Sequence, residues 1–141
     1  MRPLEFKAGV LRLIDQTKLP AQTVYVECTT YMEVAEAIKN MIVRGAPAIG
    51  VTAAYGLAIG ARSVKTQSKS EFFTNIENMC NILRSTRPTA VNLFWAIDRI
   101  YKTALSNKEK SLDEIKEAIL NEAVKMDCED VETNKAIGRN G

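Results

Sequence analysis

The sequence predicts a mainly α protein with a small antiparallel β element at its N-terminus. Three observations carry that expectation. The apolar pattern changes period at Thr30, from short β-branched runs to steps of three and four residues. Three hydroxyl-x-x-Glu sequences stand directly before such stepped runs, and two further runs open on a proline. The 141 residues, 46% hydrophobic and 26% charged, suffice for the core of one domain.

Residues 1–30 form the β-rich lead-in. Val10, Leu11, Leu13 and Ile14 follow Gly9, and Thr23-Val-Tyr-Val-Glu-Cys28 is rich in β-branched and aromatic residues. Asp15-Gln-Thr-Lys-Leu-Pro20 between them has turn composition, so a hairpin or meander is expected. Residues 31–141 form a helical bundle on the same domain. Thr30-x-x-Glu33 precedes Val34, Ala35, Ile38, Met41 and Ile42. Ser68-x-x-Glu71 precedes Phe72, Ile76, Met79 and Leu83, and Ser111-x-x-Glu114 precedes Ile115, Ile119, Ala123 and Met126. In each, the hydroxyl accepts from the third helical amide while the carboxylate reaches back, and each helix buries one stripe. Pro47 and Pro88 open two more helices, over residues 48–61 and 89–101, since proline lacks the N–H that the first helical position cannot pair. Residues 48–61 are apolar or small all round, which places that helix at the centre of the core. Gly138 and Gly141 read as a helix stop leading into a further segment.

Composition excludes several functions. The 19 Lys and Arg against 17 Asp and Glu leave a charge of +2, no footprint for nucleic acid. The absence of histidine removes a histidine base, Ser-His-Asp and Cys-His pairs and every His-ligated metal site. Cys28, Cys80 and Cys128 lie far apart and read as reduced, small buried side chains of a cytoplasmic protein. Arg2, Glu5 and Lys7 interrupt any signal peptide, and the longest uncharged run, residues 45–61, is shorter than the ~20 residues of a membrane span. No Gly-x-Gly-x-x-Gly or Gly-Lys-Ser/Thr cofactor loop is present.

One kind of feature points to chemistry. In Arg44-Gly-Ala-Pro-Ala-Ile-Gly50 an arginine and a glycine precede a helix whose first amides attract anions. Ser85-Thr-Arg87-Pro-Thr-Ala-Val-Asn-Leu93 repeats the arrangement, with Thr86 and Thr89 as added hydroxyl donors. Two such mouths facing one dianion would hold a sugar phosphate by its inert end. Taken singly, the arginines also suit surface charges or carboxylate partners. Glu33 and Glu71 read as capping carboxylates, and Asp127, Glu129, Asp130 and Glu132, a run that could hold a cation, read first as a solvated helical face. Phe94, Trp95 and Tyr101 fall mostly in the core, while Asn92 and Asp98 could touch a ligand or another subunit but better suit surface or capping roles. No paired acid and base and no activated nucleophile are found. The residues alone give an anion-binding helical domain.

The runs Val43-Arg-Gly-Ala-Pro-Ala-Ile-Gly-Val-Thr-Ala-Ala-Tyr-Gly-Leu-Ala-Ile-Gly60 and Arg87-Pro-Thr-Ala-Val-Asn-Leu-Phe-Trp-Ala-Ile-Asp-Arg99 closely resemble the methylthioribose-1-phosphate isomerase family. Asp15-Gln-Thr-Lys-Leu-Pro20 and Asn134-Lys-Ala-Ile-Gly-Arg-Asn-Gly141 fit it in the same order. The resemblance implies interconversion of 5-methylthioribose 1-phosphate and 5-methylthioribulose 1-phosphate in methionine salvage, without cofactor or metal. It implies a helical N-terminal domain, a Rossmann-like C-terminal domain absent from this chain, and a cytoplasmic homodimer at full length. It implies that Arg44, Gly45, Ala46 and Arg87 bind the sugar phosphate, and that the catalytic cysteine and aspartate lie past Gly141. None of the three cysteines here matches the catalytic one. The chain alone is therefore expected to be inactive. Ribose-1,5-bisphosphate isomerases and the regulatory subunits of the translation-initiation exchange factor are related alternatives.

Overall fold

The computed structural model describes residues 4–43 and 45–140, of which residue 46 and residues 130–140 are described by their backbone alone. Three strands, β1 (Leu4–Lys7), β2 (Val10–Ile14) and β3 (Tyr25–Cys28), precede five helices, α1 (Tyr31–Lys39), α2 (Ala46–Ser63), α3 (Lys69–Thr86), α4 (Val91–Ser106) and α5 (Leu112–Asn140). The fold is mainly α with a small N-terminal antiparallel sheet, as its sequence pattern requires.

The sheet is a meander in the order β1-β2-β3. Leu4 pairs with Leu13 and Lys7 with Val10, leaving Ala8 and Gly9 as a two-residue loop. Both loop residues have positive φ, 54° and 80°, the turn whose twist matches the flanking strands. Leu11 pairs with Cys28, and alternation sends Leu4, Leu11, Leu13 and Cys28 into the core. The opposite face is solvated at Glu5, Lys7, Arg12 and Glu27, with Ile14 buried at its end, and there the Arg12 guanidinium lies 3.9 Å from the Tyr25 ring centroid.

Helix α2 is the hub. Every residue from 49 to 61 is buried, and the helix packs against α1, α3, α4 and α5. Its small residues set the spacing. A Cβ on Gly56 would stand 2.8 Å from Val34 of α1, and one on Gly50 would stand 3.2 Å from the Asn92 carbonyl oxygen of α4. Helices α2 and α4 thus cross at their N-terminal ends, which puts both helix entrances on one side of the molecule.

The structure departs from the sequence pattern at several places. Helix α1 stops at Lys39, so Met41 and Ile42 leave its buried stripe. The Met41 amide donates to the Ile38 carbonyl (3.2 Å) and the Ile42 amide to that of Ala37 (3.0 Å). That pair of bonds is a Schellman termination with Met41, φ 62°, at the left-handed position normally held by glycine. Helix α4 begins at Val91. The Ala90 amide donates to the Arg87 carbonyl (3.0 Å), so Pro88 stands in a turn before the helix, a place its fixed φ suits equally well. Helix α5 continues through Gly138 to Asn140, and Gly141 lies outside the described residues.

Side chains also depart from expectation. Trp95 is 56% exposed, because Leu93, Ala96, Ile97 and Ile100 supply the face of α4 that meets the core. Asp127 is buried and accepts from the Tyr55 hydroxyl (2.7 Å), on whose ring Phe6 stacks at 4.6 Å. Glu129 is held with Glu122 by Arg99, whose Nε lies 2.6 Å from Glu122 and whose Nη2 lies 2.9 Å from Glu129. The C-terminal acidic run is thus partly consumed in fastening α5 to α2 and α4. Asp98 pairs with Arg84 at 2.8 Å. Cys128 is exposed, while Cys28 and Cys80 are buried.

Candidate functional site

The five helices begin in two different ways. Helices α1, α3 and α5 close their own ends. The Thr30 hydroxyl accepts from the Glu33 amide (3.1 Å), that of Ser68 from Glu71 (3.3 Å) and that of Ser111 from Glu114 (3.2 Å). The reciprocal bond forms at Thr30 and Ser111. At Ser68 it does not, because the Glu71 carboxylate accepts from Thr66 Oγ1 (2.7 Å) and that same Thr66 oxygen receives the Ser68 amide.

Helices α2 and α4 have no side-chain cap and no acidic residue in the first turn. Gly45, φ 94°, is the N-cap of α2, and Ala90 is that of α4. Pro47 carries no N–H, and the Ile49 amide is taken by the Gly45 carbonyl (3.0 Å). Among the described residues, nothing accepts from the amides of residues 46 and 48, the other first-turn donors.

These two open ends meet at one cleft of about 440 Å³. Gly45 and Ile49 line it from α2, and Arg87, Thr89, Ala90, Val91 and Asn92 line it from the turn and first residues of α4. Met41, just past the end of α1, completes the wall. The volume is within the ~300–1,000 Å³ of small-ligand sites. Arg87 is half-buried here, and among the described residues no carboxylate pairs with it, in contrast to Arg84 and Arg99. A guanidinium and two uncapped helix ends give the cleft a positive potential suited to an oxyanion.

Of the residues the sequence singled out, Gly45 and Arg87 are brought together. Residue 46 contributes its backbone at the first turn of α2, and Arg44 lies outside the described residues. Thr89 lines the cleft, but the Thr86 hydroxyl is turned to the Leu83 carbonyl (2.6 Å) at the end of α3. Asn92, for which the sequence offers a ligand contact beside the favoured surface or capping role, lines the wall. Met41 was hidden in the helical stripe of α1. Its signal is visible only once the helix is seen to stop before it.

The described cleft residues include neither a carboxylate nor a thiol. Burial pushes the Cys28 thiol up to about 11, with the Glu33 charge adding to the effect, and burial pushes Cys80 up to about 11 as well. Neither offers a thiolate near neutral pH. The arrangement can bind and orient an anionic ligand; the cleft residues described here hold no group that moves a proton at carbon.

The sequence model of the initiation factor 2 subunit family matches residues 42–141. The chain belongs to the initiation factor 2 subunit family. Among members' curated relatives, a methylthioribose-1-phosphate isomerase of Acetivibrio thermocellus is 59% identical over 141 residues, all of this chain and 41% of the relative. One from Geotalea uraniireducens is 49% identical over 140 residues, 99% of this chain and 40% of the relative. The chain therefore spans about two fifths of the length of the curated relatives it matches. A crystal structure of 5-methylthioribose 1-phosphate isomerase from Pyrococcus horikoshii OT3 superposes with a TM-score of 0.89 at 49% identity, covering 93% of this chain and 37% of that one. The translation initiation factor eIF-2B, subunit delta, from A. fulgidus superposes with a TM-score of 0.86 at 44% identity, covering 94% and 38%. The resemblance read in the two arginine-proline runs is thus matched along the whole chain. No helix among the described residues is long and apolar enough to cross a membrane.

Proposed function

We propose that this chain supplies the sugar-phosphate-holding part of an aldose–ketose isomerase that converts 5-methylthioribose 1-phosphate to 5-methylthioribulose 1-phosphate in methionine salvage. The observation that carries the reading is the cleft where uncapped α2 meets Arg87. The names of the curated relatives supply the substrate. The phosphate is bound by the Arg87 guanidinium and the free amides of residues 46 and 48, with Arg44 as a second cation from the same run. Asn92 and Thr89 face sugar hydroxyls. Fixing the phosphate end aligns C1 and C2 for proton or hydride movement and removes much of the entropic cost of that alignment. The groups that carry out the transfer, a cysteine and an aspartate by the family resemblance, belong to a catalytic domain outside this chain. Residues 1–30 and 31–141 then act as one substrate-binding domain of a cytoplasmic homodimer.

The test is turnover. The full encoded protein, incubated with 5-methylthioribose 1-phosphate, is expected to yield the ketose, followed by NMR of the C1 and C2 protons. Residues 1–141 alone are expected to yield none. The 44% identity to a protein named as an initiation factor subunit supports a second reading, a non-catalytic assembly module. Absence of turnover together with stoichiometric binding to initiation factor would favour that module.

A further inference from the structure

The helices hide their large apolar side chains, with one exception. Among the described residues α2 and α3 expose none and α1 and α5 one each, Met32 and Val124, whereas α4 exposes Val91 (76%), Trp95 (56%) and Leu105 (40%). With Asp98 and Lys102, also exposed, these stand at alternating steps of four and three residues, opposite the side of α4 that meets the core. That spacing is the seam of a helix pair, and a helix face that meets only water has no need of it. The Trp95 ring is braced from one side by the Arg99 guanidinium, 5.4 Å from its centroid, and Arg99 is itself tied to Glu122 and Glu129 of α5. From the ring a depression of about 480 Å³ runs along the helix past Lys102, Thr103 and Ser106 to Asn107.

The charges of this face match one another without meeting. Asp98 gives Oδ1 to Arg84 of α3 (2.8 Å), and Lys102, one turn further along α4, pairs with no carboxylate among the described residues. We infer that the outward face of α4 is a contact between two copies of this chain, packed antiparallel about a two-fold axis at the level of residue 100. In that register Trp95 of each copy lies against Leu105 and the depression of the other, and Asp98 of each lies against Lys102 of the other. The face is complementary to itself, which is what a two-fold contact requires. The inference deepens the homodimer of the function proposed above and is independent of its chemistry. A helix of sixteen residues offers one seam about 24 Å long, short of the ~1,200–2,000 Å² of a standard stable interface, so self-association in the micromolar range is expected.

The test is sedimentation equilibrium of the full encoded protein over micromolar concentrations, with the thermal midpoint as the check that each variant is folded. Trp95→Ala removes the ring and is expected to weaken self-association about ten-fold or more. Lys102→Glu and Asp98→Lys each set like charges opposite one another and are each expected to weaken it about ten-fold. Mixed in equal amounts, these two variants bring opposite charges together at both contacts, and the mixture is expected to associate within about three-fold of the parent. Only the antiparallel register predicts that recovery, and the parent pairing of Asp98 with Arg84 is untouched in Lys102→Glu. A monomeric parent, variants that associate as the parent does, or loss without recovery on mixing overturns the inference. Turnover of 5-methylthioribose 1-phosphate is measured separately, and its absence overturns the isomerase reading while leaving the contact intact.

Discussion

Helices α1 and α2 show two ways to begin a helix within one small fold. At α1 the Thr30 hydroxyl occupies an amide and Glu33 supplies a resident negative charge, accepting from the Thr29 and Thr30 amides at 2.9 and 3.2 Å. At α2 the N-cap is glycine, the first turn has no carboxylate, and the end opens on a cleft with an arginine that pairs with no carboxylate among the described residues. The first helix satisfies its own dipole; the second leaves it for something else. Helix α4 shares the open form and the same cleft, so the difference sorts by location and not by helix quality. A helix of eighteen residues buried as completely as α2 does not need a cap to be stable. Its packing lets the entrance stay uncapped.

The comparison can be broken most directly at the arginine. Arg87→Ala in the full encoded protein is expected to weaken sugar-phosphate binding by about 1.5–3 kcal/mol, the scale of a lost charged hydrogen bond, and Arg44→Ala by a similar amount. KM and direct calorimetric titration check it. Unchanged affinity in both variants removes the anion from the cleft. Next in size is Gly45→Ala. Nothing lies within 4 Å of the new Cβ, so its cost comes from the backbone alone, at φ 94°. A loss of about 1–2 kcal/mol in urea unfolding is expected, with a weaker hold on phosphate as the first amides reorient.

What the sequence made legible follows the same division. Capped ends carry their own signature in consecutive residues, so α1, α3 and α5 could be placed within a residue or two of their starts. Open ends carry none, and Arg-Pro-Thr-Ala fits a helix start and a turn equally, which is why α4 begins three residues after Pro88. The meeting of Gly45 with Arg87 depends on the close approach at Gly50, a contact no local pattern reports. Met41 and Ile42 follow Ile38 at three and four residues, so periodicity extends α1 through a stop that has no glycine to mark it. Asp127 looked solvated because its partner, Tyr55, is 72 residues away. Local chemistry was readable; long-range pairing was not.

A smaller and sharper test is to exchange the two designs. Ala90→Ser places a capping hydroxyl at the open end of α4, where φ −85° and ψ 96° already suit a cap. Stability is expected to rise by about 0.5–1 kcal/mol while sugar-phosphate affinity falls, because the hydroxyl takes an amide that faces the cleft. Thr30→Ala makes the opposite change at α1, costing about 1 kcal/mol of stability and leaving affinity alone. Urea unfolding and KM measured on both variants give four numbers. If Ala90→Ser gains stability and loses no affinity, the amides of α4 are not used by the ligand, and the cleft binds through α2 and Arg87 only.

The smallest expected effect isolates the resident charge at the closed end. The amide and hydroxyl of Thr29, with those of Thr30 behind them, hold the Glu33 carboxyl below its ordinary value of 4.5. A carboxylate depressed in the folded state contributes stability that is fully present above that ordinary value and is lost as pH falls through the folded one. Glu33→Gln keeps a capping oxygen but no charge. The stability difference between parent and variant should therefore be constant near neutrality and shrink as pH drops below about 4.5, measured by urea unfolding across that range. A difference that does not change with pH would mean that α1 is closed by hydrogen bonding alone. The contrast with α2 would then reduce to the presence or absence of a cap oxygen, and the case that α2 recruits an external anion would rest on Arg87 and not on the helix end.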